Sequence, residues 1–207
     1  MSSRTPFLVV ISSPSGGGKS TLVSALSERV PATRLSVSCT TRPPRPHEVD
    51  GKDYYFIGRD EFERQRDEGE FLEWAEVFGN LCGTSRREVD KILAAGCDVI
   101  LDIDVQGAAQ IRQATPDAVS IFILPPSFSA LKQRLISRGT ETPAALERRL
   151  HVAGQEVLRY TEFEYVVMND DLAEACTAVE AIVRAERQKR LRREGQAQAV
   201  LRTFREG

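Results

Sequence analysis

Residues 12–21 read SSPSGGGKST, that is Ser12-Ser13-Pro14-Ser15-Gly16-Gly17-Gly18-Lys19-Ser20-Thr21, and they follow directly on the apolar run Phe7-Leu8-Val9-Val10-Ile11. A strand, then G-x-x-x-x-G-K-[ST], then a helix is the pattern of a phosphate-binding loop. Its backbone N–H groups point inward, and the helix that follows offers an anion its positive end. Gly16, Gly17 and Gly18 let the backbone turn and approach phosphates without side chains in the way. Lys19 would reach the β- and γ-phosphates and Ser20 would bind Mg²⁺. The first position of the pattern calls for Gly, and Ser13 stands there. Ser is small, so its cost is slight provided that its φ stays negative. Residues 13–21 are therefore assigned as a nucleotide-phosphate cradle, with a ligand-free glycine turn as the bland alternative.

The rest of the chain fits an ordinary soluble domain. It has 207 residues, 41% hydrophobic and 28% charged, with a net charge of −2. That length suffices for one domain with a proper core, and the charge balance signals neither nucleic acid nor membrane. The apolar run near the N-terminus is too short for a signal peptide and reads as a strand. Cys39, Cys82, Cys97 and Cys176 are scattered, and only His47 and His151 could join them at a metal. A zinc site is not expected, and a reduced, cytoplasmic compartment is.

Short apolar strands alternate with helical patterns. Strands are expected at 7–11, 35–39, 54–57, 99–103, 121–124 and 165–168. Helices are expected at 19–29, from an Asp60 cap to near Gly69, after a Ser85–Glu88 capping box to Gly96, from Thr142-Pro143, and from Leu172 to near the end. Strands separated by helices imply an α/β fold with a parallel sheet. Residues 36–93 break that rhythm and read as an insertion at a strand end, where such folds bind ligands. The basic run from Arg184 to Arg205 reads as a solvated helix end, with an RNA or partner contact as the alternative.

Two further stretches carry chemistry. Four apolar residues and Asp102 resemble the carboxylate strand that accompanies a phosphate loop, with the acid near Mg²⁺ through water. "SCTTRPPRPHEVDGKDYYF", residues 38–56, gathers Arg42, Arg45, Glu48 and Tyr54. Paired guanidinium forks and a phenol suit a second phosphate; an ordinary proline-rich surface loop is the other reading.

Together "PSGGGKST", "SVSCTTRPPRPHEVDGKDYYF", "FLEWAEVFGN", "GTSRREVD", "LDIDVQGA", "IFILPPS", "RLISRGTET" and "VVMNDD" resemble the guanylate kinases, most nearly the bacterial ones, over residues 5–187. The resemblance implies a P-loop NTPase fold: a parallel core sheet flanked by helices (about 5–35, 94–126 and 160–187), an inserted mixed α/β GMP-binding region (about 36–93) and a helical lid (about 127–159). A basic C-terminal helix or tail, 188–207, follows. It implies that ATP phosphorylates GMP, and by extension dGMP, with Mg²⁺, to recycle GMP in purine nucleotide metabolism. The partners implied are these nucleotides, with no nucleic acid and no membrane. No oligomeric state is specified. By the same matching, Glu73 reads guanine N1–H and the 2-amino group, Asp102 is a second acceptor near the base, and Ser38 and Thr84 contact O6 or its surroundings. Arg42, Arg45 and Tyr54 hold the GMP phosphate beside Glu48. Arg138 and Arg149 are lid arginines that join Lys19 and Arg42 in catalysis, Arg134 is a further candidate, and Asn169 lies on the adenine side of ATP. Such a lid should close on both nucleotides, with Gly139 and Pro125-Pro126 as hinge ends.

Three positions depart from the family pattern. Ser13 replaces Gly or Ala, His47 replaces Gly, and Cys82 replaces a Tyr whose hydroxyl contacts the GMP phosphate. Cysteine is shorter and a weak donor. Cys82 is therefore expected in the GMP site with a weakened contact, or merely packed beside Leu81. The competing functions are a kinase for another nucleoside or sugar phosphate, a non-catalytic guanylate-kinase-like binding module, and an ATPase or nucleic-acid switch supported only by the basic tail.

Overall fold

Strand β1 (Leu8–Ser12) is buried along its whole length, and its side chains alternate between two cores. Val9 and Ile11 face helices α1 (Lys19–Arg29) and α7 (Leu172–Glu186), where they meet Leu22, Leu26, Val179 and Val183. Leu8 and Val10 face α3 (Arg86–Ala94) and α4 (Val105–Ala114), where they meet Val89, Ile92, Ala108 and Ile111. A strand covered on both faces must be apolar throughout, which is why 7–11 carries no polar alternation. The computed structural model describes residues 4–137 and 143–205. Arg138, Gly139 and Thr142, singled out in the sequence, lie outside the described residues.

β1 is the centre of a five-stranded, all-parallel sheet in the order β2-β7-β1-β8-β9, with β2 at Thr33–Leu35, β7 at Asp98–Asp102, β8 at Val119–Leu124 and β9 at Tyr165–Met168. The chain moves outward from β1 to β2 and returns through β7, and only afterwards continues to β8 on the other side. The loops after β1 and β7 thus leave the carboxyl end of the sheet side by side, at the reversal point where α/β sheets bind ligands. A second sheet, β4-β3-β6-β5, comprises Tyr55–Phe56, Cys39–Thr40, Asn80–Ser85 and Phe71–Val77. It packs on α2 (Arg59–Asp67) around Phe62, Phe71 and Leu81, with the two rings stacked at 4.5 Å. Helices α5 (Phe128–Ser137) and α6 (Pro143–Val157) form a separate cluster of Leu131, Leu135 and Ala153.

The expected strand at 35–39 is two strands. Leu35 pairs with Ile100 in the large sheet, while Cys39 pairs with Gly83 and Tyr55 in the small one. Residues 36–38 carry the chain from one sheet to the other. The Ser85–Glu88 box is not made: Ser85 is the N-cap of α3 but its side chain bonds no helix N–H. Gly58, not Asp60, caps α2, and Asp60 falls in the first turn. Side-chain caps come instead from Asp104 on α4 and Asp171 on α7.

The basic C-terminus is not simply solvated. Helix α7 ends at Glu186 and α8 (Arg190–Thr203) turns back against the N-terminus. Arg192 is buried, with its guanidinium 3.6 Å from the Phe7 ring centroid and its Nη2 donating to the Asp117 carbonyl. Arg187 and Arg4 both bind the carboxylate of Asp98, which is 0% exposed. These arginines cover the amino end of the core sheet, where β7 and β1 begin. Arg184 and Arg190 remain exposed, in i,i+4 pairs with Glu180 and Glu194.

Candidate functional site

One cavity of about 640 Å³ opens at the carboxyl end of the core sheet. Its first wall is the loop Ser13–Ser20, and its second is Arg42, Arg45, Tyr54 and Cys82 from the small-sheet region. Arg148, Arg149 and Glu156 of α6 close a third side.

The loop has the geometry that its sequence implies. Ser13 is buried and keeps a negative φ, and its hydroxyl bonds the Pro14 carbonyl. Its departure from Gly therefore costs no backbone strain. Gly18 is the N-cap of α1 at φ 91°, and no side chain caps the helix, so the first N–H groups of α1 remain available to an anion. A Cβ on Gly18 would also lie 2.5 Å from Asn169 Nδ2. Asn169 is buried, and its Nδ2 donates to the Gly17 carbonyl at 2.8 Å. Arg134 donates to the Asn169 carbonyl at 2.8 Å and reaches toward Gly17 O at 3.4 Å. Both side chains therefore brace the loop from behind, and neither lines the cavity. Lys19 Nζ lies 2.5 Å from Asp102 Oδ1 and donates to the Ile103 carbonyl at 2.7 Å. Asp102 stands behind this ammonium, and it is Asp104 that lines the cavity.

In the opposite wall Arg42 is held by a bidentate pair with Glu48 (2.9 and 2.8 Å) and lies over the Tyr54 ring at 5.4 Å. The Arg42 hydrogen bonds hold the Glu48 carboxyl below its ordinary range. Glu48 also accepts from the Arg45 backbone N–H at 2.7 Å, which tightens the turn that presents both arginines. Burial raises the Tyr54 phenol, so its hydroxyl keeps its proton near neutrality. Cys82 Sγ lies 3.3 Å from Thr40 Oγ1, and burial raises its thiol too.

Glu73 sits behind the cavity wall, 4% exposed, and accepts from Thr84 Oγ1 at 2.5 Å. Burial pushes its carboxyl up to about 7, against the opposing Thr84 hydrogen bond. Helix α4 makes room for it at Gly107, where a Cβ would lie 2.3 Å from Glu73 Oε2. Ser38 is half-buried, its carbonyl accepting from the Tyr55 N–H, and it does not line the cavity.

Several participants carry no local sequence signal. Glu156, a full 141 residues from the loop, accepts from the Ser15 N–H at 2.8 Å, so a carboxylate oxygen occupies one of the loop's anion donors. Phe78 and Arg148 line the cavity as well. Asp104 was within reach of sequence reasoning, as the second acid of "LDID". For Mg²⁺, the oxygen donors near the loop are the exposed Ser20 hydroxyl, Asp102 and Asp104. Among the described residues no three His, Cys, Asp or Glu cluster as a metal cage. That donor set suits an ion bound by one or two protein oxygens, water and substrate phosphates. No helix among the described residues is long and apolar enough to cross a membrane.

Both the sequence and the fold are similar to those of known proteins. A family model described as guanylate kinase matches residues 5–186. The guanylate kinase of Symbiobacterium thermophilum is 52% identical over 185 residues, 89% of this chain and 88% of that one. That of Thiobacillus denitrificans is 50% identical over 189 residues, 90% of each. The crystal structure of guanylate kinase from Anaplasma phagocytophilum superimposes with a TM-score of 0.78 at 37% identity, covering 93% of this chain and 92% of that chain. The fold is that of a P-loop NTPase, and with this identity along nearly its whole length the chain belongs to the guanylate kinase family.

Proposed function

We propose that the protein transfers the γ-phosphoryl group of ATP to GMP, giving ADP and GDP. What supports this is that one cavity brings together the loop Ser13–Ser20 and the cationic and phenolic side chains of Arg42, Arg45 and Tyr54. One wall suits the ATP phosphates and the other the GMP phosphate. Their sharing one cavity suits direct transfer between the two nucleotides. In that step an oxygen of the GMP phosphate bonds to the γ-phosphorus as the bond to the β,γ-bridging oxygen breaks, and ADP leaves. The attacking oxygen is already anionic, so no general base is required. The protein's contribution is positioning and charge neutralisation. Lys19 and Arg149 neutralise the transferring group, and Arg42, Arg45 and Tyr54 fix the acceptor. Mg²⁺, when bound at Ser20 and through water at Asp102, supplies further charge neutralisation on the β- and γ-phosphates. The guanine edge lies toward Glu73 and Thr84, and the lid formed by α5 and α6 brings Arg149 over the phosphates. For a phosphate to take the Ser15 N–H as well, Glu156 must release it. The assay is ADP and GDP formation from Mg·ATP and GMP: the two products should form mole for mole, and ADP without GDP would contradict the assignment.

Cys82 lies beside Thr40 on the wall that also carries Arg42 and Tyr54. A tyrosine hydroxyl there would add a hydrogen bond to a charged phosphate, worth roughly 1.5 kcal/mol or less if water now fills the gap. Cys82→Tyr is expected to lower KM for GMP by up to about tenfold with kcat within twofold. An unchanged or higher KM would show that Cys82 is not weakening the acceptor site.

A further inference from the structure

We infer that Phe78 is a platform that holds the lid's Arg149 at the mouth of the nucleotide cavity, a positioning residue for phosphoryl transfer. This rests on the role given to Arg149 above. Val77 pairs with Asn80, so Phe78 and Gly79 form a two-residue hairpin turn between β5 and β6. Both have positive φ, 50° and 82°. Such turns favour Asn-Gly or Asp-Gly, because a bulky side chain in the left-handed region is strained. Phe78 is also 48% exposed. It is thus unfavourable to the turn and poorly rewarded by burial, a combination that marks functional sites.

What the ring does touch is Arg149. The guanidinium lies 5.4 Å from the ring centroid, within cation–π range, and both residues line the cavity. Arg149 comes from α6, the hairpin from the small sheet, so the contact joins two different walls of the cavity. A long, rotamer-rich arginine held on a ring at the cavity's edge loses less entropy on reaching the phosphates than one free in water.

Phe78→Asn separates the two roles. Asn tolerates the left-handed backbone, so Tm should rise by about 2–4 °C. At the same time kcat should fall roughly 3–10-fold, with KM for ATP and GMP within twofold. Phe78→Tyr, which keeps the ring, should restore kcat to within twofold of the parent. In an Arg149→Ala background, Phe78→Asn should cause no further loss of kcat. A kcat for Phe78→Asn equal to the parent's, or an equal loss in both backgrounds, would overturn the inference alone. If Arg149→Ala itself leaves kcat unchanged, the role of Arg149 falls and this inference falls with it.

Discussion

Lys19→Ala should lower kcat for ADP formation by about 10³-fold while GMP still binds. The ammonium stands on the floor of the cavity, fixed by Asp102 at 2.5 Å and the Ile103 carbonyl at 2.7 Å. It is therefore already oriented before any nucleotide arrives, and little reorganisation is needed as charge develops on the transferring phosphate. Removing one such preorganised donor or cation from a water-poor site typically costs 10²–10³ in rate, and more in phosphoryl transfer. The effect belongs on kcat, because the interaction strengthens in the transition state. GMP affinity measured by calorimetry should change less than threefold, since the acceptor wall of Arg42, Arg45 and Tyr54 is separate. A kcat within tenfold of the parent would mean that Lys19 serves only to pair with Asp102.

Glu73→Gln should lower kcat/KM for GMP by about 10²–10³ and shrink the preference for GMP over AMP by a similar factor. A carboxylate can accept from both N1–H and the 2-amino group of guanine, whereas an amide turns a donor toward a donor. Each hydrogen bond to a charged group is worth roughly 1.5–3 kcal/mol, and a buried site left unpaired by the wrong base discriminates strongly. The same substitution should stabilise the fold. Burial raises the Glu73 carboxyl from 4.5 to about 7, so the folded state binds the proton more tightly than the unfolded one. Between about pH 4.5 and 7 the parent accordingly loses stability as pH rises, and above 7 it carries the whole cost of a buried charge, about 3 kcal/mol. The Gln variant escapes this. Its Tm should equal the parent's near pH 4.5 and exceed it most above pH 7. GMP binding runs the other way: guanine donors favour the ionised form, so the parent should bind GMP more weakly as pH falls below 7. The GMP phosphate titrates nearby, with a second pKa near 6, but it does so for both proteins, so the ratio of their Kd values isolates Glu73. A pH-independent ratio, or a Gln variant that still prefers GMP, would remove Glu73 from the base site.

What was legible in the sequence was local. The run Phe7–Ile11, the glycines and Lys19 lie within fifteen residues, and each constrains the backbone by itself; the core sheet and its helices follow from the same short-range periodicity. The misreadings begin where partners are distant. Alternation through Leu35–Cys39 is continuous, yet Leu35 answers to Ile100 and Cys39 to Gly83. No local pattern announces a change of sheet. Glu156 at Ser15, Arg149 at Phe78 and Gly107 at Glu73 are contacts between residues 34 to 141 positions apart. Charge runs are equally ambiguous: Arg187 and Arg192 look like neighbours of the exposed Arg190, and only packing against Asp98 and Phe7 separates them. Asn169 matches a nucleotide contact by sequence, and its hydrogen bond to the Gly17 carbonyl is a further contact that no local pattern announces.

Whether the cavity joins a phosphate-donor loop to a guanine-specific acceptor site is decided by ADP release from Mg·ATP with GMP, with AMP, or with no acceptor. Release with GMP should exceed release under the other two conditions by at least about 10³-fold. Equal release in all three would make the protein an ATPase, and equal rates with GMP and AMP would contradict the guanine site at Glu73.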